Sequence, residues 1–195
     1  MIDAHLAKSG LGRHVHAHPG LRVPGALDGF DVALRVLLRH ASRSQTAYES
    51  LAWRVTAALG DPIDVGLPSL HRLAPDARRV AGTDVHVLVS LGVHERDASI
   101  IVELARAIAA GPLRLEPGAD PSHVSRELAS IGVDEASAAL ILARAVAWPD
   151  SFPVHDSTHS LTYRAERWRP WRAYAAMHLR LEATSAVRAA KVRAG

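Results

Sequence analysis

The stretch DPSHVSRELASIGVDEASAALILARAVA, residues 120–147, decides how the rest of the chain is read. Asp120 followed by Pro121 is a helix start: the aspartate accepts from free N–H groups, and proline at the first helical position gives up no hydrogen bond. That helix is expected to run to about Ser130. Ile131, Gly132, Val133 and Asp134 then form a tight break, because glycine admits the left-handed backbone that ends a helix. From Glu135 the chain is again alanine- and leucine-rich and helical. Two helices joined by a short glycine turn are the expected unit.

Helical periodicity extends outward from this unit in both directions. Phe30, Ala33, Leu34, Leu37 and Leu38 recur at i, i+3, i+4, i+7 and i+8 behind Asp28 as a cap. After Ser44, residues Tyr48, Leu51, Ala52, Val55 and Leu59 repeat the pattern until Gly60, with Trp53 read as part of the same core. Residues 60–73, rich in Pro and Gly, read as a connector. Short helices near 76–80 and 84–91 lead to HERDASIIVELARAIAAGP, residues 94–112, a long helix stopped by Gly111-Pro112. WPDSFPVHDS, residues 148–157, is a loop, and Pro170 opens a last helix carrying Trp171, Tyr174, Ala175, His178 and Leu179 on one face. The expected fold class is all-α. Residues 1–19 read as a solvated N-terminal arm, 20–182 as the folded domain, and 183–195 as a frayed, mildly basic tail.

The chain has 195 residues, 48% of them hydrophobic and 22% charged, enough to bury a substantial core. Its net charge is +3, and apart from Lys8 and Lys191 every basic residue is arginine, whose planar fork suits phosphate. With no cysteine, disulfides, thiolate metal sites, a nucleophilic thiol and an iron–sulfur cluster are excluded. No apolar run reaches the roughly 18 residues of a membrane span, and the N-terminus carries no apolar signal core. A cytoplasmic monomer is expected. HVHAH, with His14, His16 and His18, has a spacing that suits a metal on a strand but is read as solvated; His155, Asp156 and His159 lack a second ligand cluster, so no metal is expected.

RVPGALDGFDVALRVLL (22–38), LEPGADPSHVSRELASIGVDEASAALILARAV (115–146), SFPVHDS (151–157) and AERWRPWRAYAAMHL (165–179) together resemble the helix-hairpin-helix DNA glycosylases of the bacterial 3-methyladenine type. The likeness covers roughly residues 20–182, and the Trp-Arg-Pro-Trp-Arg run is its most specific piece. It implies two helical lobes around a cleft. Such enzymes usually carry a further mixed α/β domain in front, so the chain is expected to be the glycosylase core alone.

The resemblance also implies residue roles. Ile131, Gly132, Val133 and Asp134 would be the hairpin that presents N–H groups to a DNA phosphate. Asp134 replaces the second hairpin glycine of the family; its carboxylate either repels phosphate or caps the following helix. His40 or Arg43 would fill the gap left by a flipped nucleotide. Asp156 would be the catalytic carboxylate, stabilising positive charge as the N-glycosidic bond breaks; read without the flanking matches, it is a helix or turn cap. Ala136, Leu140 and Arg180 occupy positions where the family carries base-stacking aromatics. Glu135, Ala136 and Ser137 stand where bifunctional members keep a Schiff-base lysine, so strand cleavage is not expected. Trp168 and Trp171 are expected to pack the last helix, with the adjacent arginines solvated or touching phosphate. The implied function is monofunctional release of damaged, alkylated bases from double-stranded DNA without a cofactor. The alternative is a catalytically silent homologue that binds DNA, a lesion or another protein.

Overall fold

A computed structural model describes residues 1–67, 70–152 and 164–193, with backbone alone from residue 184. In chain order the helices are α1 (Ile2–Leu6), α2 (Gly12–Ala17), α3 (Gly29–His40), α4 (Gln45–Leu59), α5 (Ala77–Ala81), α6 (Val85–Ser90), α7 (Glu95–Ala109), α8 (Pro121–Ile131), α9 (Glu135–Arg144) and α10 (Arg172–Arg193). A kinked turn, Ala7–Leu11, joins α1 to α2, and a short 3₁₀ turn, Glu166–Trp168, precedes α10. Among the described residues there is no strand, only an isolated antiparallel bridge between Pro62 and Arg72. No described helix is long and apolar enough to cross a membrane.

Side-chain caps start most of these helices. The carboxylates of Asp28, Asp76, Asp84, Asp120 and Asp134 and the hydroxyl of Ser44 each accept from a backbone N–H two or three residues on, at 2.7 to 3.1 Å. Each satisfies a donor that the helix itself leaves open.

The larger lobe, α3 to α9, encloses one core in which Leu38, Val55, Leu88, Ile101, Leu104, Leu128 and Ile141 are almost fully buried. Each such side chain contributes about 1.5–3 kcal/mol by leaving water. Helix α7 is its spine, packing against α3, α5, α6 and α8. Gly29 lies under the chain at Leu115: a Cβ there would stand 1.9 Å from the Leu115 carbonyl oxygen, so no other residue fits without moving that crossing.

The smaller lobe corrects the reading of residues 1–19. They are not a solvated arm. Leu6, Leu11 and Val15 are buried against Ala165, Trp168 and Ala175, and the Trp168 indole donates to the Ser9 carbonyl at 3.2 Å. Three apolar residues at this sparse spacing make no visible stripe, and their partners lie some 150 residues away. His14 is buried and faces Glu182 at 3.2 Å, while His16 and His18 are exposed. Trp53 is also corrected: it is 65% exposed rather than core. It stands two residues from both Leu51 and Val55, and a two-residue step turns a helical position to the opposite face. Helix α10 starts at Arg172, two residues later than expected, and its backbone stays helical to Arg193 where a frayed tail was expected.

Candidate nucleic-acid interface

The helix–turn–helix at 120–147 forms as expected. Gly132 ends α8 with φ +96°, the left-handed conformation that glycine alone adopts readily. Its N–H donates to the Ala129 carbonyl and that of Val133 to Leu128, both at 3.0 Å. These two hairpin amides are therefore spent on closing α8. Ile131 is half-buried and Val133 is buried, packing the turn onto the large lobe.

Asp134 takes the second of its two expected roles. Its Oδ1 accepts from the Ser137 N–H at 2.9 Å, and its Oδ2 lies 3.4 Å from Nδ1 of His40, at the end of α3. Partial burial raises the Asp134 carboxyl, but hydrogen bonds from Ser137 and the neighbouring His40 outweigh it and hold the group below the usual carboxylate range. Both oxygens thus have partners within the protein. His40, Gly132 and Asp134 border one shallow depression of about 120 Å³, together with Arg96 and Asp97 from the first turn of α7. Arg43 is exposed in the turn between α3 and α4. The structure brings His40 to the hairpin; Arg96 was not singled out in the sequence, because nothing in the pattern of α7 distinguishes it from other exposed arginines.

A second constellation lies where the loop at 148–152 meets the Trp-Arg-Pro-Trp-Arg run. Asp150 is buried and receives Arg172 at 2.8 Å through Nε, with a second contact at 3.1 Å through the other fork nitrogen, and also pairs with Arg169. Arg169 and Arg172 both reach Glu166 as well. The expectation of solvated or phosphate-bound arginines is thus corrected for Arg172, which is 15% exposed; Arg169 pairs with the same carboxylate but stays about half exposed to solvent. Next to Asp150, the Ser151 hydroxyl donates to the Ala139 carbonyl at 2.6 Å, and Pro149 accepts from the Ala173 N–H at 2.9 Å. Phe152 then packs on Trp168, ring centres 5.8 Å apart. The chain is thus held to α9 and α10 up to Phe152, four residues before Asp156.

Asp156 itself, with His155 and His159, lies outside the described residues. Ala136 and Leu140 are half-buried one turn apart on α9, and Arg180 is exposed on α10; none of the three borders the hairpin depression. Among the described residues no cluster of three or more His, Asp or Glu side chains could hold a metal.

No protein-family model matches the chain. It is 29% identical over 185 residues to DNA-3-methyladenine glycosylase 2 of Escherichia coli, an alignment covering 89% of this chain and 64% of that protein. The chain thus spans just under two thirds of that relative's length. Among solved structures, an 8-oxoguanine glycosylase/lyase of Clostridium acetobutylicum in complex with double-stranded DNA superposes with a TM-score of 0.74 at 15% identity, over 94% of this chain and 70% of that one. A 3-methyladenine DNA glycosylase of Archaeoglobus fulgidus gives 0.72 at 19% identity, over 91% of this chain and 67% of that one.

Proposed function

We propose that this chain, which has the fold of the helix-hairpin-helix DNA glycosylases, is a monofunctional glycosylase that releases damaged, alkylated bases from duplex DNA. The observation that carries this is the 185-residue likeness to a 3-methyladenine glycosylase, extending through the hairpin and the Trp-Arg-Pro-Trp-Arg run. In the reaction, water forms a bond to the sugar C1′ while the bond from C1′ to the base nitrogen breaks, and the base takes the electron pair. An alkylated base that carried positive charge leaves neutral, and the proton lost by the attacking water passes to solvent. The carboxylate of Asp156 would stabilise the charge that develops on the sugar, the hairpin would dock the duplex, and His40 or Arg43 would fill the gap left by the flipped nucleotide. We take it to act in the cytoplasm as a monomer without a cofactor, the glycosylase unit being residues 20–182 together with the N-terminal residues that pack on Trp168 and α10.

One observation favours the second reading, a silent homologue that binds DNA, a lesion or protein: the Gly132 and Val133 amides donate back into α8. The experiment is base release from alkylated duplex DNA by the wild type and Asp156→Asn. The first reading expects release by the wild type, at least 100-fold slower in the variant, with nearly equal duplex affinity, because the carboxylate acts mainly in the transition state (a factor of about 10²–10³ for a lost electrostatic stabiliser). No release by the wild type, with duplex binding retained, selects the second.

A further inference from the structure

We propose that Arg96 is a phosphate-contacting residue of the duplex interface, an inference that rests on the glycosylase reading above. The hairpin has few donors left for an anion. The Gly132 and Val133 N–H groups are consumed by the end of α8, and the Asp134 carboxylate, which adds negative charge, is engaged by Ser137 and His40. A phosphate approaching this turn therefore needs a cation from a neighbouring element.

Arg96 supplies one. It stands in the first turn of α7, borders the same depression as His40, Gly132 and Asp134, and is exposed. Its guanidinium has no hydrogen bond or ion pair among the described residues. The arginines within α3 and α4 have contacts elsewhere, and Arg43, exposed in the turn between them, does not border the depression. Arg35 is held by Asp31, Arg39 leans on the Ser42 carbonyl at 3.4 Å, and Arg54 is tied to Ser50 and the Leu91 carbonyl. A free planar fork at the rim of an otherwise acid-bearing turn is suited to a phosphate, which accepts two parallel N–H bonds. Asp97 works against it. That carboxylate borders the same depression, and its place in the first helical turn, where the helix favours negative charge, explains why it is tolerated. The two neighbours therefore make opposite predictions.

The test is duplex binding by fluorescence anisotropy across a salt series, with a short duplex carrying an abasic-site analogue. Arg96→Gln is expected to weaken binding at low salt on the order of tenfold and to reduce the slope of log K against log[salt] by about 0.9, the value for one phosphate contact. Arg96→Lys restores the slope while recovering only part of the affinity, and Asp97→Asn tightens binding. Arg78→Gln, which alters an exposed arginine of α5 outside the depression, leaves the slope unchanged. A wild type that binds duplex with a salt-dependent slope, matched by Arg96→Gln within error, overturns the Arg96 assignment and leaves the glycosylase reading standing. A wild type with no salt-dependent duplex binding overturns that reading, and Arg96 with it.

Discussion

At Asp150 one carboxylate receives both arginines of the Trp-Arg-Pro-Trp-Arg run, and it does so at 11% side-chain exposure. Arg172 is nearly as buried, at 15%. A buried pair of this kind is costly to break from one side, because the partner charge is left desolvated and uncompensated. Asp150→Asn is therefore expected to destabilise the fold by about 3 kcal/mol, measured as a lower urea midpoint at unchanged slope. A midpoint within error of the wild type would show that the arginines re-pair with Glu166 alone. The sequence conveyed the specificity of the motif but not this use of it. Asp150 lies 19 and 22 residues before its partners and reads as an ordinary loop aspartate. The same distance problem hid Arg96, which only the approach of α7 to the hairpin marks out.

At the scale of elements, local rules were sufficient. Six helices begin behind an Asp or Ser whose role follows from its own next three residues, α7 begins behind His94 as its cap, and the 120–147 unit breaks at Gly132 as its composition dictates. The cap at Asp134 bears on function, because it fixes a negative charge beside the turn expected to meet phosphate. Asp134→Gly removes that charge at a stability cost of only a few tenths of a kcal/mol, since glycine is itself tolerated at the N-cap. Tighter duplex binding at low salt is the expected outcome, by roughly two- to tenfold for one removed charge near a phosphate. Unchanged affinity in the salt titration would mean that DNA docks away from the hairpin.

At the scale of the whole molecule, the N-terminal residues and α10 enclose one buried titratable group. His178, on the inner face of α10, is buried and neither ring nitrogen has a hydrogen-bond partner among the described residues. Burial pushes its imidazole below the ordinary 6.5, with the charges of His14 and His18 acting in the same direction and the Asp3 carboxylate and the His14 backbone opposing them. Asp3 is itself engaged by Arg22 and the Gly20 N–H, and His14 by Glu182. With a depressed folded-state pKa, the unfolded chain takes up the proton first as pH falls. The contribution to stability is then complete above about pH 6.5 and is lost as pH drops through the folded value. The melting temperature is expected to fall between pH 7 and pH 5, and His178→Leu to flatten that fall. Equal slopes in the two proteins would assign the acid sensitivity elsewhere.

The sequence by itself determined the all-α class, the boundaries of α3 to α9 within a few residues, the hairpin at Gly132 and the resemblance that names a function. All of these rest on information within one helix length: periodicity, caps and contiguous motifs. Tertiary structure alone decided that residues 2–17 fold onto α10, that Trp53 faces water, that Arg169 and Arg172 both pair with Asp150, and that His40 and Arg96 border one depression at the hairpin. Those outcomes depend on which surfaces the chain brings together across 20 to 160 residues. Burial and charge pairing are energies of that juxtaposition, and no local pattern encodes them.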